Sequence, residues 1–278
     1  MSRPLAIALL LLMLAPPACR PGDRAPAPTP PDRGRLTQVS VINALLLGRY
    51  DGVTPARGLL SHGDFGLGTF DHLDGELIVL DGRVYQARGD GVVREVVDDL
   101  STPFAVVTPF EAEGRFPCPE VASLDQLDAR LDAVLRPGNA FYAIRVDGTF
   151  TSLTLRSVPR QEPPYARLAE VSKRQSVWTH RGVSGTLIGI RCPPWAAGLN
   201  VPGYHWHFLS TDRHVGGHVI DCQLGTARVA YQRCRSWLIE LGEPAGLDGA
   251  DLGRDLGGDL ERVERSRKAD PPGSKGAR

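Results

Sequence analysis

The sequence has no surplus of charge, because its 278 residues include 32 Lys and Arg against 32 Asp and Glu. A nucleic-acid binder needs a surplus of cationic side chains on one surface, so that class of protein is not expected. The five cysteines are too few and too scattered for a disulfide scaffold. No Gly-Lys-Ser or Gly-Lys-Thr follows Gly63, Gly66 and Gly68, which excludes a phosphate-binding loop and favours plain turn glycines. What remains is a globular composition, 42% hydrophobic and 23% charged.

Both ends of the chain differ in composition from a folded domain. Residues 1–18 have a basic residue before a short apolar run, and they are predicted to be an export signal because a membrane span needs about 20 apolar residues. Cys19 suggests a lipoprotein signal, although the two prolines shortly before it depart from the usual pattern. The proline-rich residues 19–34 are interpreted as an extended linker, and residues 268–278 as a disordered tail. We therefore expect an exported protein, extracellular or periplasmic, with a lipid anchor at Cys19 as an open alternative.

Between these ends, strand-like segments alternate with a few helix-like ones. An Asp-Gly turn predicts a hairpin over residues 76–86, and a capping residue, Ser123, predicts the start of a helix. Helical spacing of apolar residues also predicts a helix over residues 37–47. A proline-containing connection predicts a division into an N-terminal half, residues 35–165, and a C-terminal half, residues 166–267. The expected fold class is α+β, with two β-rich halves, mixed sheets and a few helices.

Four of the seven histidines lie within 14 residues. His205 and His207 are two residues apart on a predicted strand, so their side chains point to the same face. A second strand begins at His218, and antiparallel pairing would bring this residue opposite the pair, about 5 Å away. Three neutral imidazoles with an open fourth position are typical of catalytic zinc, although iron or manganese in a cupin-type barrel has similar ligands. We expect the metal site on the C-terminal half, and we interpret His214, in the turn, as a surface residue.

Four segments of the chain, taken in order, resemble the alpha-acetolactate decarboxylase family of bacterial zinc enzymes. They read HGDFGLGTF from His62, LDGELIVLDG from Leu73, RSV from Arg156 with Gln161 and PY shortly after, and NVPGYHWHF from Asn200 with GGHV after it. The resemblance implies zinc-dependent decarboxylation of (S)-2-acetolactate to (R)-acetoin and carbon dioxide. It also implies a homodimer, and an exported form is consistent with secreted members of the family.

The resemblance also assigns the residues of the site. The zinc ligands of the family fall on the histidines that strand alternation selects, His205, His207 and His218. The active-site glutamate falls on Glu76, the arginine on Arg156 and a nearby threonine on Thr69. A glutamate of the C-terminal tail falls on Glu264, with Glu261 as the competing position because the segment before it is rich in Gly and Asp. Trp206 departs from the aliphatic residue expected between two ligands, but alternation points it away from the metal.

The chemistry of this reaction explains why each of these residue types would be needed in the site. Loss of carbon dioxide from this β-keto acid leaves an enediolate, and zinc would stabilise its negative charge as a Lewis acid. Arg156 is expected to orient the substrate carboxylate, because a guanidinium is planar and permanently charged. A carboxylic acid, Glu76 or Glu264, is expected to donate the proton that makes acetoin chiral, and the sequence leaves both open. The site would then lie between the halves, with Glu76 supplied by the first.

Two rival functions use the same histidines. One is an exported cupin-like metal-dependent oxygenase, which predicts bound iron and consumption of oxygen. The other is a non-enzymatic zinc-binding lipoprotein, which needs the metal but neither Arg156 nor Glu76. Without the resemblance, Glu76 would be a solvated hairpin charge and Arg156 a surface strand residue, so these two residues discriminate best between the functions.

Overall fold

The computed structural model describes residues 33–242 and 247–265 of the chain. The predicted export signal, Cys19 and the predicted tail 268–278 lie outside the described residues, and so does all of the linker 19–34 except its last two residues. Among the residues that are described, no helix is both long enough and apolar enough to cross a membrane.

Strands are the main regular secondary structure of the described chain. They are β1 (Arg35–Val39), β2 (Thr54–Pro55), β3 (Phe65–Thr69), β4 (Glu76–Leu80), β5 (Arg83–Ala87), β6 (Val93–Glu95), β7 (Ser101–Thr102), β8 (Phe104–Thr108), β9 (Gly114–Cys118), β10 (Phe141–Ser157), β11 (Ser176–His180), β12 (Val183–Cys192), β13 (Gly203–Ser210), β14 (Gly216–Cys234) and β15 (Ser236–Glu240). The α-helices are α1 (Ile42–Leu46), α2 (Leu124–Leu135), α3 (Leu168–Val171) and α4 (Gly257–Arg265).

The strands form two large sheets. The seven-stranded sheet has the order β15–β1–β8–β3–β4–β5–β6. In this sheet β1 and β15 run parallel, and every other pair of adjacent strands is antiparallel. The six-stranded sheet has the order β11–β10–β12–β13–β14–β9, and β10 also pairs with β14. The strands β10, β12, β13 and β14 therefore close into a ring of hydrogen-bonded neighbours. The expected fold class included mixed sheets and a few helices, and the structure confirms both features.

Apolar side chains of both sheets share one core. Leu67 and Ile78 of the seven-stranded sheet belong to the same buried cluster as Ile188 of the six-stranded sheet. The helices α1, α3 and α4 add apolar residues to this cluster. A second cluster contains residues of β10, β12, β13 and β14, and α2 packs into it through Leu127 and Leu131. The packing of the two sheets against each other is thus what brings their functional side chains together.

The sequence predicted a division into two halves at residue 165. Each sheet, however, contains strands from before and from after this residue. The strand β15 joins the seven-stranded sheet from the C-terminal side of this position, and β9 and β10 join the six-stranded sheet from the N-terminal side. The site is consequently positioned by sheets that each draw on the whole described chain.

The helix predicted over residues 37–47 is wrong in its first part. Arg35–Val39 form β1, which pairs with β8 and β15 on its two edges, and the helix is confined to Ile42–Leu46. Ser40 lies between them with a φ of 59°, a left-handed conformation that interrupts both elements. A strand buried on both faces has no alternation to reveal it, so its apolar residues matched helical spacing by coincidence.

The predicted hairpin and the predicted helix start are confirmed. The strands β4 and β5 are antiparallel, and Asp81 and Gly82 connect them with φ values of 52° and 73°, as a tight hairpin turn requires. The hydroxyl of Ser123 accepts a hydrogen bond from the backbone N–H of Gln126 at 3.2 Å, which caps the first turn of α2.

Gly66 and Gly68 lie within β3 and not in turns, which corrects the interpretation of them as turn glycines. A Cβ at Gly66 would collide with the carbonyl oxygen of Val106, and one at Gly68 with that of Phe104. Both carbonyls belong to β8, the hydrogen-bonded neighbour of β3. The glycines therefore permit a close approach of two backbones in the middle of the sheet.

Candidate metal centre

Three buried histidines meet where β13 and β14 pair. His205 and His207 alternate along β13 with Trp206 between them, and His207 is the direct register partner of His218 on β14. All three are at most 7% exposed. Each offers a ring nitrogen, and these atoms lie within 4.8 Å of one another. The structure thus brings together the three residues that strand alternation and the resemblance selected, whereas His214 is exposed.

Hydrogen bonding leaves lone pairs on these rings without a partner. Nδ1 of His207 lies 2.9 Å from the carbonyl oxygen of Leu77 on β4, so this nitrogen carries the hydrogen and Nε2 carries the lone pair. Nε2 of His207 and Nδ1 of His205 are buried without a hydrogen-bond partner in the described part of the chain, and Nε2 of His205 lies 3.2 Å from Nδ1 of His218. Unpartnered buried nitrogens are costly. A divalent ion of the zinc type would satisfy them, so the donor set fits such an ion.

The imidazoles are in the protonation state that a metal ligand needs. Burial, together with the smaller effect of the nearby guanidinium of Arg156, lowers the pKa of His205 to about 3. Burial also holds the pKa values of His207 and His218 well below the usual range of histidine. All three rings are therefore neutral at pH 7, with lone pairs available for a cation.

Two carboxyl groups and one guanidinium surround the histidines. Arg156, on β10, is the register partner of His218, and its side chain is 6% exposed. Its Nη1 lies 3.7 Å from Oε1 of Glu76 and its Nη2 lies 3.7 Å from Oε1 of Glu264. Burial raises the pKa of Glu76 to about 7, against the opposing effect of Arg156, and burial raises the pKa of Glu264 as well.

Each carboxyl group also faces one histidine. Oε2 of Glu76 lies 3.5 Å from Nε2 of His207, and Oε2 of Glu264 lies 3.4 Å from Nε2 of His218. Nε2 of His207 bears a lone pair, so a proton or a cation between it and an ionised Glu76 would relieve their repulsion. Glu264 comes from α4, and the competing residue Glu261 is exposed and does not line this cavity.

Thr69 lies beside Glu76 as its register partner between β3 and β4. Its hydroxyl donates a hydrogen bond to the carbonyl oxygen of Gly75 at 2.8 Å. Gly75 directly precedes Glu76 and has a φ of 88°. This hydrogen bond fixes the turn from which β4 begins, and with it the position of the Glu76 carboxyl group.

A small cavity joins all seven of the predicted site residues. Its volume is about 40 Å³, which is room for very few water molecules. The apolar walls of the cavity are Ile42, Leu45, Leu73, Phe104, Val158, Leu168 and Val263. Their patterns match those of ordinary core residues, so no sequence signal distinguishes them.

A small cavity lined by neutral imidazoles, a buried guanidinium and two carboxyl groups has the properties of an enzyme active site with a place for a divalent ion. Comparison with known proteins narrows this class. The sequence model of the family described as alpha-acetolactate decarboxylase matches residues 36–254. The alpha-acetolactate decarboxylase of Methanosarcina mazei is 48% identical over 230 residues, covering 83% of this chain and 80% of that protein.

Two further relatives agree. The alpha-acetolactate decarboxylase of Brevibacillus brevis is 37% identical over 254 residues, covering 91% of this chain and 89% of that protein. The crystal structure of alpha-acetolactate decarboxylase from Bacillus subtilis strain 168 superposes with a TM-score of 0.81 at 35% identity, covering 83% of this chain and 99% of that chain. The chain belongs to the alpha-acetolactate decarboxylase family, and it is a decarboxylase.

Proposed function

We propose that the protein catalyses zinc-dependent decarboxylation of (S)-2-acetolactate to (R)-acetoin and carbon dioxide. The observation that carries this proposal is that one small cavity is lined by the three imidazoles, Arg156 and the carboxyl groups of Glu76 and Glu264. The relatives at 48% and 37% identity are named for this substrate, which supports the same substrate for this chain.

The histidines His205, His207 and His218 would hold the ion. A zinc ion held there would supply Lewis-acid stabilisation of the negative charge that loss of carbon dioxide leaves on the substrate oxygens. Nδ1–H of His207 donates to Leu77 on the other sheet, which orients this ring toward the centre. The hydrogen bond also links the ligand geometry to the packing of the two sheets.

Arg156 would bind the carboxylate that leaves as carbon dioxide. Its two terminal nitrogens each face a carboxyl group at 3.7 Å, beyond the length of a direct hydrogen bond. The guanidinium is therefore not committed to a tight ion pair, and its N–H groups can donate to a substrate carboxylate in a planar, two-pronged arrangement. Such binding fixes the breaking bond relative to the histidine centre.

Glu76 and Glu264 would be the two candidate proton donors. They approach the histidine cluster beside different ligands, Glu76 at His207 and Glu264 at His218. Donation from one fixed direction to a planar carbon produces one enantiomer. The variant that replaces the donor by Gln is expected to yield acetoin of reduced optical purity, while the other variant keeps the (R) configuration.

The deciding experiment is acetoin formation from racemic acetolactate by the purified protein. We expect acetoin above the spontaneous rate, loss of that activity with a chelator, and its return when zinc is added. A folded, zinc-loaded protein that forms no acetoin would contradict the proposal. The rival oxygenase predicts iron and oxygen consumption in the same assay, and neither it nor a zinc carrier explains the buried Arg156 beside Glu76.

We also propose that the protein is exported, with lipidation at Cys19 as the alternative to a free secreted form, and that it forms a homodimer. Fractionation of producing cells and mass measurement of the mature N-terminus test the first proposal. Sedimentation of the purified protein tests the second. A mature chain that retains residues 1–18 in the cytoplasm would contradict export, and a monomer at all concentrations would contradict the dimer.

A further inference from the structure

The two strands that carry the histidines separate at the metal centre. The pairing of β13 with β14 covers only His207 with His218 and the next two residue pairs toward the turn. His205 lies beyond the last of these pairs, where, among the described residues, the backbone of β13 pairs with β12 alone, on its other edge. Backbone pairing therefore fixes His207 relative to His218, but it does not fix His205 relative to His218.

The helix α2 connects the two strands where their pairing has ended. The indole Nε1–H of Trp206 donates to Oδ1 of Asp128 at 3.0 Å, and the hydroxyl of Tyr204 donates to Oδ1 of Asp132 at 2.7 Å. On the other side, the backbone N–H of Leu124 donates to Oδ1 of Asp221 on β14 at 2.9 Å. We call these three hydrogen bonds the α2 clasp.

The two acceptor residues on α2 and the two donor residues on β13 are similarly spaced, so that α2 is attached to β13 at two points. Asp128 and Asp132 are four residues apart on α2, about 6 Å along the helix axis. Tyr204 and Trp206 are two residues apart on β13, about 6.7 Å along the strand. Their rings are also stacked, with centroids 5.7 Å apart and planes inclined by 6°. The two distances agree closely, so both hydrogen bonds form without distortion of the strand.

Trp206 is the more buried of the two anchors and is immobilised by its surroundings. It is 2% exposed, and its ring covers Gly189 on β12, where any Cβ would collide with the indole. Tyr204 is only half-buried and its partner Asp132 is exposed. The hydrogen bond between Trp206 and Asp128 is therefore the part of the clasp least open to replacement by water.

His205 is the ligand that most needs this support. His207 is oriented by Leu77, whereas Nδ1 of His205 has no hydrogen-bond partner among the described residues, and its Nε2 contacts Nδ1 of His218, itself a proposed ligand, at 3.2 Å. Trp206 is its neighbour in the chain, with a side chain on the opposite face of β13. A zinc ligand must be held within a few tenths of an ångström, so the anchoring of Trp206 sets where His205 can meet His218.

We propose that Trp206 and Asp128 are positioning residues for the metal centre, which hold His205 at the distance from His218 that zinc requires. This inference rests on the proposed zinc site. It concerns residues that touch neither substrate nor metal, and Trp206 is the position at which this chain departs from the aliphatic residue expected between the ligands.

The test is zinc affinity, measured by competition with a chromogenic chelator, in the full-length protein. Trp206→Phe removes the N–H donor together with part of the buried indole, while Asp128→Ala removes the acceptor and leaves the indole unchanged. We expect both to raise the zinc dissociation constant about 10-fold, the lower end of the effect known for residues that orient metal ligands. Asp128→Asn keeps an acceptor oxygen and is expected to stay within about 2-fold of the wild type. Trp195→Phe, the same change at a tryptophan that is 56% exposed, is the matched control.

Two further measurements distinguish positioning from general packing. The visible spectrum of the cobalt-substituted protein is expected to change in Trp206→Phe and Asp128→Ala, since it reports ligand geometry, and at saturating zinc kcat is expected to fall more than KM rises. Unchanged zinc affinity and cobalt spectra with only a lower Tm would overturn the proposal. If Trp206→Phe does not fold, the comparison of Asp128→Ala with Asp128→Asn decides alone. A wild-type protein that binds no zinc would contradict the proposed zinc site itself, which separates that failure from failure of the clasp.

Discussion

Arg156 on β10 and His218 on β14 are direct partners across an antiparallel strand pair. The pairing places the guanidinium of Arg156 beside the ring of His218, a proposed metal ligand. The guanidinium and a bound metal ion are both cations, and they would repel each other. The carboxyl groups of Glu76 and Glu264, each 3.7 Å from a guanidinium nitrogen, offset this repulsion. The arrangement supports the proposal that one site binds both a divalent ion and the carboxylate of an anionic substrate.

Replacing Arg156 by Lys is expected to reduce kcat/KM about 100-fold, because the ammonium cannot form the planar two-pronged contact that positions the leaving carboxylate. Zinc content should remain that of the wild type, since the positive charge near the histidines is unchanged. Steady-state kinetics and metal analysis of the same preparation test this. A variant with normal kcat/KM would remove Arg156 from the mechanism, and one without zinc would make its role structural.

His207→Ala is expected to weaken zinc binding more than about 100-fold, a larger effect than for residues that only orient a ligand. Its ring is 1% exposed and donates to Leu77, so a loss of stability will accompany the loss of metal. His214→Ala is the matched control, because this histidine is exposed in the neighbouring turn. Metal content and chelator titration of both variants check the prediction, which equal zinc binding by the two would contradict.

Thr69→Val removes a hydroxyl with little change of shape and leaves the carbonyl of Gly75 without its donor. We expect the free energy of unfolding to fall by about 1 kcal/mol and kcat/KM to fall with it, as Glu76 is no longer fixed by the preceding turn. Thr69→Ser keeps the hydroxyl and should restore both values. Denaturant unfolding and kinetics of the pair test this. If Thr69→Val keeps full activity, the threonine serves the strand and not the site.

Ending the chain after Leu256 removes α4, which contributes Val263 and Glu264 to the wall of the cavity. The histidines lie on other elements, so we expect zinc to be retained while kcat/KM falls at least about 100-fold through loss of water exclusion and of one carboxyl group. Ending the chain after Arg265 preserves all the residues of the site and is the control. A shorter chain with undiminished activity would show that α4 is not part of the active site.

The sequence was most informative where chemistry required particular side chains. Strand alternation alone selected His205 and His207, and the hairpin and helix start were recognisable from their turn and cap residues. It was least informative where partners distant in sequence decide the structure. The strand β1 has helical spacing but is fixed by β8 and β15, and the separation of β13 from β14 depends on pairings that no local pattern reveals. Glu264 reaches the site only because α4 packs over it, outside the residues 36–254 that the family model matches.

Gly68 illustrates a position whose residue type is decided by a distant backbone. A Cβ there would lie 2.7 Å from Cα of Ala105 and would collide with the carbonyl oxygen of Phe104, neither of which can move without breaking the pairing of β3 with β8. Gly68→Ala is therefore expected to lower the free energy of unfolding by about 2 kcal/mol. Gly249→Ala is the matched control, because no atom of the described residues lies within 4 Å of its Cβ position, and it should change stability by less than about 0.5 kcal/mol. Urea unfolding of both variants measures the difference, and equal stabilities would mean that β3 and β8 can separate at no cost. Gly68 is next to Thr69, whose hydroxyl supports the turn before Glu76. A distortion of β3 in Gly68→Ala should therefore also displace Glu76 and lower kcat/KM.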